Sequence, residues 1–217
     1  MKNRENTIKA IEESKIIGII RGLEGETLLK TVSAMVEGGI KVVEFPLDHS
    51  GKVPYSVTME NVKMVSKEFA GKLSVGVGTV LTEEQVDLAK ENGAELIFSP
   101  DTFEPVIKRT RELGLVSVPG AFTPTECANA HRFGADFVKL FPNSEVKPSY
   151  LKAISLPLPH IKFLLFGGVN IDNMAEYLSI GAKGFGIATA IVNKKLIGEG
   201  DFTAITEITE KFINAVK

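Results

Sequence analysis

A chain of 217 residues, 44% of them hydrophobic and 24% charged, is long enough to bury a substantial core and ordinary in composition for a globular protein. Its net charge of −2 gives no electrostatic footing for nucleic acid or an anionic membrane, and no apolar run is long enough to span a bilayer. The single cysteine, Cys127, excludes an internal disulfide and fits a reducing cytoplasm, and the polar opening Met1-Lys2-Asn3-Arg4-Glu5-Asn6 does not read as a signal peptide.

One phrase recurs along the chain: a helical pattern, a glycine, then a short run of Val, Ile, Leu and Phe. It appears around Gly38-Gly39, Gly93, Gly114, Gly134 and Gly181. Each glycine stands where a helix ends and a left-handed cap is favoured. Each run is apolar on both faces, as a strand of a parallel sheet is. In chain order the runs predict strands over residues 16–21, 40–45, 73–79, 95–99, 115–119, 137–141, 163–166 and 184–187, each followed by a helix. Thr82 with Gln85 reads as a capping box after the third strand, and Thr123-Pro124-Thr125-Glu126 opens the helix after the fifth. About eight strand–helix units in this length predict an α/β fold, a single-domain (β/α)8 TIM barrel over residues 1–217. A doubly wound open sheet is the alternative, but no Gly-x-Gly-x-x-Gly opens the first helix.

In such a barrel the chemistry lies at the C-terminal ends of the strands. Lys139 falls there, inside the apolar run Phe137-Val138-Lys139-Leu140-Phe141. A charge in that setting is costly unless it is paired or loses its proton, and a neutral amine attacks ketones. The other strand ends carry Glu44, Arg21, Thr79 and Gly167-Gly168, a kit of carboxylate, cation, hydroxyl and backbone N–H groups. Each has a plainer role open to it. Lys139 can snorkel, Glu44 can be its counter-ion, Arg21 can pair at the surface, Thr79 can be a strand residue and glycines can merely turn. Their falling together at one end of different strands favours a site. His49, His131 and His160 are far apart and fit no metal-binding spacing, so neither a metal nor another cofactor is expected.

The motifs Ile19-Ile20-Arg21-Gly22, Val43-Glu44, Val77-Gly78-Thr79-Val80, Phe98-Ser99-Pro100, Val118-Pro119-Gly120, Lys139-Leu140-Phe141-Pro142 and Gly167-Gly168-Val169-Asn170 cover nearly the whole chain. Together they resemble the 2-keto-3-deoxy-6-phosphogluconate (KDPG) aldolase and 2-keto-4-hydroxyglutarate aldolase family, with its 6-phosphogalactonate branch. The resemblance implies a metal-free class I aldolase, assembled as a homotrimer, acting on a small 2-keto acid. It implies that Lys139 forms the Schiff base and that Glu44 carries protons. It further implies that Arg21 and Thr79 hold the carboxylate, that Phe141 packs beside the imine, and that Pro100, Gly167, Gly168 and Thr189 complete the substrate site.

Departures bear on the substrate. Asp48 stands where some members carry an arginine, Phe166 replaces a threonine before the glycine pair, and Ala188-Thr189 replaces Gly-Ser. Asp48 and Asp101 are expected to add negative charge at the mouth, and the Ala188 methyl to crowd an anion. The expected reaction is cleavage of 2-keto-3-deoxy-6-phosphogluconate to pyruvate and glyceraldehyde 3-phosphate. The alternatives are an aldolase for 4-hydroxy-2-oxoglutarate or another unphosphorylated acid, and a phosphate-binding barrel isomerase or epimerase.

Overall fold

The computed structural model describes residues 4–217. Its elements run α1 (Arg4–Ser14), β1 (Ile16–Ile19), α2 (Gly25–Glu37), β2 (Val42–Pro46), α3 (Tyr55–Glu68), β3 (Ser74–Gly78), α4 (Glu83–Glu91) and β4 (Leu96–Phe98). They continue with α5 (Glu104–Glu112), β5 (Val116–Val118), β6 (Gly120–Ala121), α6 (Pro124–Arg132), β7 (Val138–Leu140), a 3-10 turn at Asn143–Glu145 and α7 (Pro148–Ser155). The chain ends through β8 (Phe163–Phe166), α8 (Ile171–Ser179), β9 (Gly184–Ile187), α9 (Lys194–Glu199) and α10 (Phe202–Asn214).

Every strand pair is parallel, in the order β5-β4-β3-β2-β1-β9-β8-β7-β6. β5 pairs with β4 and β6 with β7, with only Pro119 between them, so the nine segments form the eight staves of a barrel. Pro119 has no N–H for the ladder, but its carbonyl still accepts from Lys139 N at 2.9 Å, which ties the two sides together. The hydrogen-bonded ladders of β1 to β7 are shorter than the apolar runs, as at Ile16–Ile19 against the expected 16–21.

The helix-ending glycines Gly39, Gly93, Gly114, Gly134 and Gly181 all have φ between +70° and +107°, as their place after a helix requires. Thr123 and Glu126 form the full reciprocal cap. At Thr82 the box is only half made: Gln85 N donates to Thr82, but Gln85 Oε1 accepts from Leu81 N at 2.7 Å instead, one residue upstream.

Among the described residues two helices exceed the expected one per strand: α10, a second helix after the last strand, and α1. α1 precedes the first strand, and its Ile11 is fully buried with Ile17, Val42, Val116 and Phe137, so it plugs the N-terminal end of the barrel. Strand parity then divides the core in two. Val43, Phe45, Val138 and Leu140 face the helices, whereas Val42, Phe98, Val118, Phe137 and Phe166 face the axis. Glu44 and Lys139 share the second parity.

Candidate active site

Lys139 therefore points inward because Phe137, two residues earlier, does. It sits one layer above that buried ring and is 8% exposed, while Phe141 at the rim is 39% exposed. Its Nζ lies 4.5 Å from the Phe166 ring centroid and 4.9 Å from that of Phe141. Two ring faces give an ammonium some electrostatic support. Burial nevertheless dominates and pushes the amine below its ordinary range, with the Glu44 carboxylate opposing and the Arg21 cation reinforcing that shift.

Glu44 pairs in register with Ile19 on one side and Gly76 on the other. It is 1% exposed, and its Oε2 is buried with no hydrogen-bond partner among the described residues. Burial pushes this carboxyl above its ordinary range, against the pull of Lys139 and Arg21. Room for it comes from β3: a Cβ on Gly78 would stand 2.6 Å from Glu44 Cδ and overlap the carboxylate. The pair is thus an amine and an acid, each shifted toward its neutral form, with an oxygen free to take up a proton.

Both groups open into one cleft of about 380 Å³ at the C-terminal end of the strands. The same cleft is lined by Arg21, Thr79, Pro100, Phe141, Gly167, Gly168 and Thr189, so all nine residues singled out from the sequence meet in one place. Arg21 is exposed at the rim and also borders a neighbouring cavity of about 230 Å³. Gly167 and Gly168 have φ of +98° and +69°, a conformation that other residues rarely adopt. A larger cavity of about 610 Å³ lies at the opposite end of the barrel, but its lining includes neither a buried lysine nor a buried carboxylate.

Neither of the two acids expected at the mouth lines this cleft itself. Asp48 lines not this cleft but the neighbouring cavity that Arg21 also borders; its carboxylate accepts from Ser50 N at 2.8 Å and Val53 N at 2.9 Å, and hydrogen bonding from the Ser50 side chain, then from these backbone groups, holds it well below the usual carboxylate range, at about 2. Asp101 is also outside the lining, past Pro100. The structure adds a cation instead: Lys194 Nζ lies 3.8 Å from where a Cβ on Gly22 would stand, beside Arg21. Sequence reasoning likewise passed over Phe166 as a neighbour of the amine. Its parity with the barrel-lining Leu164 was the available signal. Its ring fits because Gly186 opposite has no side chain.

The model of the family described as KDPG and KHG aldolase matches residues 7–208. A probable 2-dehydro-3-deoxy-6-phosphogalactonate aldolase from Rhizobium meliloti (strain 1021) is 37% identical over 180 residues, 82% of this chain and 82% of that protein. The 2-dehydro-3-deoxy-6-phosphogalactonate aldolase of Escherichia coli (strain K12) is 33% identical over 175 residues, 80% of this chain and 82% of its own. Among solved structures, the KDPG aldolase of Legionella pneumophila, with pyruvate captured at low pH as a covalent carbinolamine intermediate, has a TM-score of 0.82 at 28% identity. The match covers 94% of this chain and 96% of that one. With a family model spanning nearly its whole length, and a barrel mouth that gathers a buried lysine and a buried carboxylate, this chain belongs to the KDPG and KHG aldolase family of carbon–carbon lyases.

Proposed function

We propose that this aldolase splits a 2-keto-3-deoxy-6-phospho sugar acid into pyruvate and glyceraldehyde 3-phosphate, with Lys139 as nucleophile and Glu44 as proton carrier. The observation that carries the reading is the Lys139 amine buried at the mouth beside Glu44, whose Oε2 is unpartnered among the described residues. The neutral amine adds to the C2 ketone, and loss of water from the carbinolamine leaves a protonated imine. Glu44 takes the proton of the C4 hydroxyl, the C3–C4 bond breaks, and its electron pair flows into the imine to give an enamine. The aldehyde departs. Glu44 returns the proton to C3, and water releases pyruvate from Lys139. Arg21 and the Thr79 hydroxyl hold the carboxylate next to the ketone.

At the far end of the cleft, the backbone of Gly167-Gly168 and the Thr189 hydroxyl offer donors for a phosphate. Asp48 and Asp101 are not among the residues that line this cleft, and of the features weighed against a phosphate the Ala188 residue is the one that lines it. Between the C4 epimers, the galactonate is favoured. The relatives named for it are 37% and 33% identical, against 28% for the phosphogluconate aldolase of known structure.

The test is a panel of 2-keto acids read by pyruvate release: both 6-phosphorylated epimers, their unphosphorylated forms and 4-hydroxy-2-oxoglutarate. Phosphate should raise kcat/KM by roughly tenfold to a hundredfold, about 1.4–3 kcal/mol. Preference for an unphosphorylated acid would overturn the substrate class. Failure of borohydride to fix pyruvate on the protein would overturn the imine itself, as expected of an isomerase that uses Lys139 and Glu44 only to move protons.

A further inference from the structure

Thr79 ends the third stave with φ at +56°, a left-handed conformation that is costly for a β-branched residue. The peptide that follows it is pinned at both ends. Val80 N donates to Phe98 O at 3.1 Å, and the Thr79 carbonyl lies 2.7 Å from His49 Nε2. A carbonyl only accepts, so this nitrogen carries the hydrogen. The other ring nitrogen, Nδ1, is then free to accept, and Tyr55 Oη stands 2.8 Å from it. The two rings meet edge to face, 5.5 Å apart. His49 is exposed to water, yet both of its nitrogens are engaged by protein.

The loop that carries His49 is itself closed. Leu47 N donates to Gly78 O at 2.9 Å, just before Thr79, and the Asp48 carboxylate gathers the Ser50 and Val53 N–H groups just after. His49 is thereby delivered to one carbonyl. Without it, that carbonyl has no donor from the neighbouring stave, and nothing on that side opposes relaxation of Thr79 toward the ordinary extended region. Such a rotation would swing the Thr79 side chain away from the cleft that it lines.

We propose that His49, oriented by Tyr55, is a positioning residue that holds Thr79 in its left-handed conformation so that the Thr79 hydroxyl meets the substrate carboxylate. This rests on the aldolase reading above, in which Thr79 and Arg21 receive that carboxylate. The role is one of binding, because the reacting amine of Lys139 and the carboxylate of Glu44 lie on other staves.

Three variants test it: His49→Ala, His49→Gln and Tyr55→Phe. Each is read by the pyruvate concentration that half-saturates borohydride labelling, and by KM and kcat for cleavage. His49→Ala should raise the half-saturating concentration and KM by roughly fivefold to tenfold, the value of one hydrogen bond, with kcat within about twofold of the parent. His49→Gln keeps an N–H at the same reach and should restore most of the affinity. Tyr55→Phe, which removes only the tautomer lock, should fall between, at about a threefold rise, and carries the same prediction should His49→Ala not fold. A folded His49→Ala protein with parental KM would overturn the proposal, as would a glutamine variant no better than the alanine one. Absence of any pyruvate label on the unmodified protein is a different failure, and it would remove the aldolase reading together with the role of His49.

Discussion

At the scale of single residues, Lys139 and Glu44 are each destabilised in their charged forms by the same burial, and this links chemistry to stability. Pyruvate with borohydride should add a reduced pyruvate unit at Lys139, located by mass spectrometry of the digested protein; label elsewhere would sink the assignment. Glu44→Gln should lower cleavage by roughly 10²–10⁴-fold while leaving pyruvate labelling in place. The pH dependence of stability has a definite sign. Because burial raises the Glu44 carboxyl above its ordinary 4.5, the folded protein binds more protons than the unfolded chain between the two values. Stability is therefore present below the ordinary value and lost as pH rises through the raised one. Glutamine has no proton to lose. The Tm advantage of Glu44→Gln should accordingly be absent below pH 4.5 and appear as the pH climbs, which calorimetry at several pH values would show. Lys139 works in the opposite sense. Its lowered value leaves the unfolded chain binding more protons in the window below 10.5, so its own contribution improves with rising pH there.

At the scale of elements, what a glycine does depends on the stave or helix that holds it. Gly78 closes β3 against Glu44 of β2, and an added methyl would overlap the carboxylate. Gly198 lies within α9 with no atom near enough to meet a methyl. The same Gly→Ala change should therefore have opposite signs. Gly78→Ala should cost about 1–3 kcal/mol by overpacking and lose most cleavage, because Glu44 must move off the proton it is to take. Gly198→Ala should stabilise by about 0.5–1 kcal/mol through helix propensity and leave turnover alone. Urea titration and a cleavage assay on both proteins decide the matter; equal effects would mean that Gly78 is not holding the space for Glu44. The 3-10 turn after β7 belongs to the same scale. Its Asn143 is buried and donates to both the Gly167 carbonyl and the Tyr177 oxygen, at 3.2 Å each, so the loop after Lys139 and the glycine pair are one packed unit.

At the scale of the whole molecule, the barrel was legible in the sequence because its repeat is local. A glycine followed by an apolar run marks each helix-to-strand passage, and parity with apolar neighbours such as Phe137 places Lys139 toward the axis. What was not legible comes from closure. The contact of His49 with Thr79, the approach of Lys194 to Gly22, and the turning of Asp48 onto its own loop depend on chain segments that meet only when the staves are in place. α1 was missed for a related reason: its opening is polar, and its apolar face toward the barrel is small, made of Ile8, Ala10 and Ile11. That face makes a prediction. Ile11 is fully buried beneath the lower layer formed by Ile17, Val42, Val116 and Phe137, so Ile11→Ala leaves a cavity that the rigid staves cannot collapse to fill. The change should cost about 2–5 kcal/mol in urea unfolding. Lys139 and Glu44 stand in the layers above, at the other end of the axis. The folded variant should therefore keep its kcat and its half-saturating pyruvate, with one cooperative transition at a lower midpoint. A separate early transition, with the main midpoint unmoved, would show instead that α1 unfolds on its own and that the barrel stands without its plug.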